Sequence, residues 1–247
     1  MNKNTIVISQ SMYFPWVGFL EQWSLADVFV VYDDVQFSKG SFTNRVQVKT
    51  VAGSRWLTVP LRDQRLGHRI DEVQVDDSAD WRTSQLGVLK QAYRDAPFVR
   101  AMMELVQVVL HEPVGSIGEL SLRSMIMLAR HFGINPGLRI VHARDLNIGG
   151  SGSDRVLDIV RALAGTDYVT GHGARRYLDH EAFERAGISI SYMRYGCAPY
   201  PQQHGTFTPF VSALDLVANC GKDGAQFIRP EAIPWRCFLQ AHEEGTA

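Results

Sequence analysis

The sequence predicts an α/β fold: a Rossmann-like, mostly parallel sheet with a helical insertion in the middle of the chain. Three observations predict it. A β-branched run at 5–9, a helical apolar pattern at 17–26 and a second apolar run at 28–32 form a strand–helix–strand unit. That unit requires parallel strands and a right-handed crossover. Short apolar runs and helical patterns alternate again from 138 onward. Between these ends, 81–133 carries helical spacing alone.

Each element follows from local chemistry. TIVIS at 5–9 is short, apolar and β-branched, which suits a buried strand. Pro15 suits a helix's first turn, and Phe19, Leu20, Trp23 and Leu25 supply its apolar side. VFVVY at 28–32 is apolar throughout, as a strand covered on both faces must be. Residues 33–45 are polar, contain Gly40 and read as a loop. Runs at 46–50 and 55–61 flank Ala52-Gly53 and predict a hairpin. Residues 62–80 are polar and irregular. Helices are expected at 81–93, 98–110 and 117–132, punctuated by Pro97, Pro113 and Gly133. A strand at 138–142 precedes a helix at 151–163, entered through Gly149-Gly150-Ser151-Gly152-Ser153. Strands follow at 167–170 and 188–192, then a helix at 211–219 that closes at Gly221. Residues 1–240 are expected to form one domain, with 81–133 as a helical insertion and 241–247 as a flexible tail.

Composition excludes several function classes. The chain has 247 residues and a formal net charge of -1, so no basic surface for nucleic acid is announced and none is expected as a partner. No stretch approaches the ~20 apolar residues of a membrane span. The start MNKNTIVISQ has no apolar core of a signal peptide, so a cytoplasmic location is expected. Cys197, Cys220 and Cys237 are an odd number at wide spacing, neither a disulfide framework nor a zinc pattern. The histidines are scattered, so no metal site is expected, and the sequence assigns no cofactor.

Open α/β sheets bind ligands at the carboxyl ends of their strands. Two polar loops hold that position, one from Gln10 to Gly18 and one from Asp33 to Arg45. Lys39 and Arg45 suit phosphate or carboxylate oxygens. Asp34 suits a base or a hydroxyl acceptor. Asp33 and Asp34 are adjacent, so in an extended segment they point to opposite sides and are no catalytic pair by adjacency. The plainer reading makes Asp33 a turn cap and Lys39 a solvated charge. A second candidate is the glycine-rich entry at 149–155, ending at Arg155. Glycines before a helix can present backbone N–H groups to an anion, although the Gly-Lys-Ser/Thr ending of a Walker loop is missing. Its plain alternative is a flexible loop with a serine cap. A third is His172 between Gly171 and Gly173, followed by Arg175 and Tyr177, where histidine can act as acid or base or sit in an exposed turn. The last is Gln202 with the helix carrying Asp215 and Cys220. A carboxylate on an apolar helix needs a partner. Cys220 at a helix C-terminus is a poor nucleophile. Trp16, Trp23, Trp56 and Trp81 read as core or rim aromatics.

These stretches resemble the WbqC-like protein family. The resemblance rests on ISQSMYFPWVGFLEQWSLADVFVVYDDVQFSKGSFTNR, with RWLTVPL, DYVTGHGARRYLD and YPQQHGTFTPFVSALDLVANCG in order behind it. It spans most of the chain. It implies a link to bacterial polysaccharide gene clusters, notably those for O-antigen, and a sugar-modifying transferase that adds glycine. By resemblance the residues of interest are Gln10, Tyr13, Pro15, Gly18, Asp34, Gln36, Lys39, Asn44 and Arg45, then Gly171, Tyr177, Gln202 and Asp215. The opening also resembles nucleotidyltransferase-type Rossmann folds. Gly18 is kept, but Trp16 and Phe19 stand where that group has the histidines of its histidine-x-glycine-histidine signature, which disfavours adenylylation by the usual route.

Three functions follow as expectations. One is a transferase acting on an anionic small molecule, nucleotide-linked or phosphorylated. Another is a nucleotide-binding enzyme of nucleotidyltransferase or ligase type. The third is a non-catalytic assembly protein of a biosynthetic complex.

Overall fold

The computed structural model describes residues 3–62 and 65–244. Strand β1 (Thr5–Ser9) leads into helix α1 (Val17–Ser24) and β2 (Val28–Val31). A hairpin of β3 (Arg45–Thr50) and β4 (Gly53–Thr58) follows, then helices α2 (Trp81–Ala92), α3 (Val99–His111) and α4 (Ile117–Phe132). The chain returns through β5 (Arg139–His142), α5 (Gly152–Ala162), β6 (Asp167–Thr170), α6 (His180–Arg185) and β7 (Ser189–Met193). It ends with α7 (Leu214–Cys220), β8 (Ala232–Pro234) and α8 (Trp235–Glu244).

The main sheet has the order β5-β2-β1-β6-β7-β8. Its first five strands are parallel, and β8 runs antiparallel along β7. From β1 the chain builds outward through β2 and β5, then returns to the other side of β1 as β6. Strand order therefore reverses between β1 and β6, as in a Rossmann fold.

Alternation along the strands decides which helix covers which face. Val7, Phe29, Val31, Val169 and Met193 meet Phe19 and Trp23 of α1 and Met125 and Ala129 of α4. Ile6, Ile8, Val28, Val30, Ile190 and Tyr192 meet Val156, Ile159 and Val160 of α5, with Phe183 and Phe238 beyond. A third core joins Val46, Val48 and Leu57 of the hairpin to Leu89, Met102, Val106, Leu120, Leu128 and Leu216. Helix α4 thus belongs to two cores, one side on the sheet and one on the hairpin layer. It is the crossover between β2 and β5, while α2, α3 and the hairpin stand outside the sheet.

Helix ends follow capping chemistry. Ser116 Oγ accepts from the Glu119 amide while Glu119 Oε2 accepts from the Gly115 amide. Gly133 closes α4 with φ +66°. Sequence did not foresee β8 or α8. Helix α8 continues through 241–244, where a flexible tail was expected, because Phe238 anchors its first turns against Tyr192 in a stacked pair 4.1 Å apart. Residues 245–247 lie outside the described residues.

Gly165 sits where α5 turns into β6. A Cβ there would come 2.5 Å from Ile6 Cγ1 and 2.7 Å from Val160 Cγ1, both in the core. Gly165→Ala should cost about 1–3 kcal/mol in urea unfolding, the usual range for overpacking. An unchanged midpoint would show that the core yields there.

Candidate functional site

The carboxyl ends of β1 and β6 open onto a cleft of about 700 Å³, within the range for small-molecule sites. Ser9 and Gln10 at the end of β1 and Thr170 and Gly171 at the end of β6 line it at the switch point. Gly150, Ser151, Gly152 and Arg155, at the entry to α5, form one wall. Met12, Trp16 and Tyr195 form another, and His172 and Tyr177 complete the lining.

The α5 entry leaves backbone donors facing the cleft. Gly150 and Gly152 have φ of +86° and +62°, a region other residues rarely adopt. Ser151 makes no side-chain cap, so the first-turn amides remain available. Arg155 is fixed within this turn. Its Nη2 lies 2.5 Å from Asp34 Oδ2, its Nε donates to the Ile148 carbonyl, and its guanidinium lies over the Tyr32 ring. The two charged side chains are only 9% and 8% exposed. These bonds take two of the guanidinium's five donors.

His172 reads differently. Its Nε2 lies 2.7 Å from the Met193 carbonyl oxygen. A carbonyl only accepts, so Nε2 carries the proton and Nδ1 of the neutral ring is an acceptor. The ring packs between Tyr195 and Phe238. Tyr195 has its phenol pushed up to about 12 by burial, with Glu21 and Cys197 adding, so it stays a hydrogen-bond donor.

An apolar slot of about 180 Å³ adjoins the cleft through Met12 and Trp16. Tyr13 and Pro15 line it with Phe42, Val46 and Phe210. Gly18 lies directly beneath the Trp16 ring, where a Cβ would overlap it.

Of the residues singled out from sequence, Gln10, Gly171, His172 and Tyr177 line the cleft. Others are occupied elsewhere. Asp34 is bound to Arg155 and does not line the cleft, so it positions a cation. Asn44 is buried and donates to the Val59 carbonyl at 3.0 Å. Tyr13 is buried with its hydroxyl on Gln85 Oε1. Arg45 stacks on Trp56 at 4.2 Å. Lys39, Gln36 and Arg175 are exposed on the outer surface and absent from the lining. Gln202 accepts from Lys49 Nζ at 3.0 Å and donates to Tyr200 and Thr208. Asp215 is 1% exposed, with Asn219 donating to Oδ1. The Tyr93 and Tyr200 hydroxyls and Lys49 favour its charged form, but burial prevails and its pKa is raised. Cys220 has its thiol raised by burial, with Asp215 adding, which keeps it a poor nucleophile.

The profile of the WbqC-like protein family matches residues 10–227. The chain belongs to this family. An uncharacterized protein of Mycobacterium tuberculosis is 29% identical over 226 residues, covering 91% of this chain and 97% of that one. No solved structure matches. The matched span of this WbqC-like chain runs from Gln10 through both walls of the cleft and past Phe210. Among the described residues no helix is long and apolar enough to cross a membrane, and no group of three or more histidine, cysteine, aspartate or glutamate side chains is placed to hold a metal ion.

Arg155 is the member that sequence reading placed in a motif without singling it out. Tyr32 and Tyr195 went unnoticed. The available signal was the position of an arginine in the first turn of a helix entered through glycines.

Removing Asp34 leaves a buried guanidinium unpaired. Asp34→Ala should destabilise by about 3–5 kcal/mol, and the double variant Asp34→Ala with Arg155→Met by less than that. Urea titrations of the variants would show it, and an additive loss would mean the two groups are uncoupled.

Asp215 gives a pH signature. Its folded pKa lies above its unfolded value of about 3.9, so its contribution favours folding below that value and is lost as pH rises through the folded pKa. The stability of Asp215→Asn relative to the unaltered protein should therefore rise from pH ~4 upward and then level off. Unfolding free energies measured across that range, with a difference independent of pH, would refute the raised pKa.

Proposed function

We propose that this WbqC-like protein is a transferase that modifies a sugar or related small metabolite in bacterial surface-polysaccharide biosynthesis. Its reactant carries phosphate, and the group transferred is an aminoacyl group such as glycine. The observation that carries this reading is the cleft at the switch point, with the α5 entry and Arg155 on one side and His172 on the other.

In this reading the α5 amides and Arg155 hold the phosphate oxygens. Gln10 and Tyr177 orient hydroxyl groups. The acceptor amine or hydroxyl attacks the carbonyl carbon of the activated aminoacyl group. A new C–N or C–O bond forms, the bond to the leaving group breaks, and the acceptor's proton passes to His172 Nδ1. Tyr195 donates to an oxygen in the cleft. Orientation within one cleft supplies much of the acceleration.

A second reading, nucleotide binding of nucleotidyltransferase or ligase type, is favoured by the strand order alone. Against it, Trp16 and Phe19 replace the triphosphate-binding histidines, and Phe19 is buried in the core. Fold does not fix function.

A thermal-shift panel separates these readings. It holds nucleotide sugars, nucleoside triphosphates with magnesium, glycine and other amino acids, and acyl carriers. The expected result is stabilisation by a phosphate-bearing sugar compound, about 2.7 kcal/mol at a hundredfold excess over Kd. Ser151 is exposed at the α5 entry, so Ser151→Glu should fold and weaken that binding at least tenfold by placing a carboxylate against the phosphate. Lys39→Ala should leave it unchanged. No shift with any phosphate compound, or an equal shift in Ser151→Glu, would sink the proposal.

A further inference from the structure

The apolar slot beside the cleft has no role in the scheme above. Its lining comes from three stretches of chain. Met12, Tyr13, Pro15 and Trp16 follow β1, Phe42 and Val46 enter the hairpin, and Phe210 precedes α7. Phe42 and Phe210 are 49% and 63% exposed, so they leave large apolar surface to solvent at its mouth. Exposed aromatic surface around a concave site marks a binding region.

The slot is rigid. Phe14 holds φ +41°, a left-handed conformation that phenylalanine rarely adopts. Ser124 Oγ accepts from its amide at 2.7 Å, and Ser212 Oγ donates to its carbonyl at 2.8 Å. The Tyr13 amide donates to the Phe42 carbonyl at 2.9 Å, joining two of the walls. The strained turn sends Tyr13 and Trp16 to the slot while Phe14 goes to the core.

Size and chemistry narrow the occupant. About 180 Å³ is room for one ring-sized group, since a dry apolar cavity of about 150 Å³ takes benzene. Two lining side chains carry hydrogen-bonding groups: the Tyr13 hydroxyl, which already donates to Gln85 Oε1 at 2.8 Å, and the single indole N–H of Trp16. One donor cannot serve the several ring nitrogens and carbonyls of a nucleobase, and those left over would lose their hydration. An apolar ring, edge or face against Trp16 and Phe210, has no such cost. Met12 and Trp16 line both spaces, which places the slot immediately beside the polar cleft.

We infer that the ligand of this protein is bipartite, with an apolar, ring-sized substituent in the slot and its polar, phosphate-bearing end in the cleft. The inference rests on the proposed function for the polar end only.

Toluene tests the slot, with uracil as the flat polar control and UDP as the cleft probe. Saturation-transfer NMR and thermal shift would be read on each. Toluene should bind the unaltered protein, and uracil should not. Val46→Phe fills the slot and should weaken toluene binding at least tenfold. Phe210→Ala removes an exposed wall without disturbing the core and should weaken it several-fold, which keeps the test valid should Val46→Phe misfold. No toluene binding at millimolar concentration overturns the inference, as does uracil binding in its place or equal toluene binding in Phe210→Ala and a folded Val46→Phe. A UDP shift that persists without toluene binding leaves the cleft reading standing alone. Toluene binding with no phosphate compound bound sustains the slot and removes the cleft reading.

Discussion

The buried carboxyl of Asp33 is the constraint on which the site depends. It stands just past β2, 5% exposed. Its Oδ1 accepts from the Ser11 amide at 2.8 Å and its Oδ2 from the Ser11 hydroxyl at 2.5 Å. Its backbone carbonyl accepts from the Asp71 amide. One residue thereby ties the loop after β1 to the loop after β2, and both to the 62–80 segment. Burial raises its pKa against the opposing pull of the two Ser11 bonds. On α4, Gly118 is the residue that makes room for it, because a Cβ there would stand 2.8 Å from Asp33 Oδ2. The crossover helix can approach the strand ends this closely only with glycine at that position.

Asp33 turns toward Ser11, while Asp34, in the bend that follows, turns to Arg155. That is why adjacent carboxylates serve unrelated ends, one holding a loop and the other holding Arg155. The Arg155 guanidinium is costly to bury, and the Asp34 carboxylate, the Ile148 carbonyl and the Tyr32 ring offset that cost. In return its direction is fixed before any ligand arrives, which is the condition for electrostatic preorganisation.

Much of the fold was legible in the sequence because its strands are short, apolar and bounded by polar breaks. The unit from Thr5 to Val31 could hardly be read otherwise, and α4 was placed to the residue because Ser116 and Gly133 mark its ends. Helix α8 was illegible because its apolar side rests on few residues, Trp235, Phe238 and Leu239, followed by a charged run. The site was legible as loops and not as side chains. Gln10 and His172 lie where strand-end reasoning puts a ligand. Asn44, Gln202 and Asp215 have the chemistry of binding residues, yet their bonds are made within the protein. Sequence names a side chain's donors and acceptors; the partner that takes them up can lie far along the chain, 153 positions in the case of Lys49 and Gln202.

That long-range pair also gives the motif near the C-terminal end a structural task away from the cleft. Lys49 is a β3 lysine only 5% exposed, and its Nζ donates to Gln202 Oε1 and to the Thr206 carbonyl at 2.6 Å. Gln202 in turn accepts from the Thr208 amide and donates to the Thr208 carbonyl. The segment leading to Phe210 has no regular secondary structure, so these bonds supply the order that a ladder would supply elsewhere. Beyond it, the Ser212 amide donates to the Gln47 carbonyl and the Ala213 amide to the Pro15 carbonyl. The hairpin, the turn after β1 and the entry to α7 are therefore cross-braced on either side of Phe210. A wall of the slot is carried on a loop, but the loop is held at both ends by hydrogen bonds, with the Lys49 ammonium as the tie on the side before Phe210.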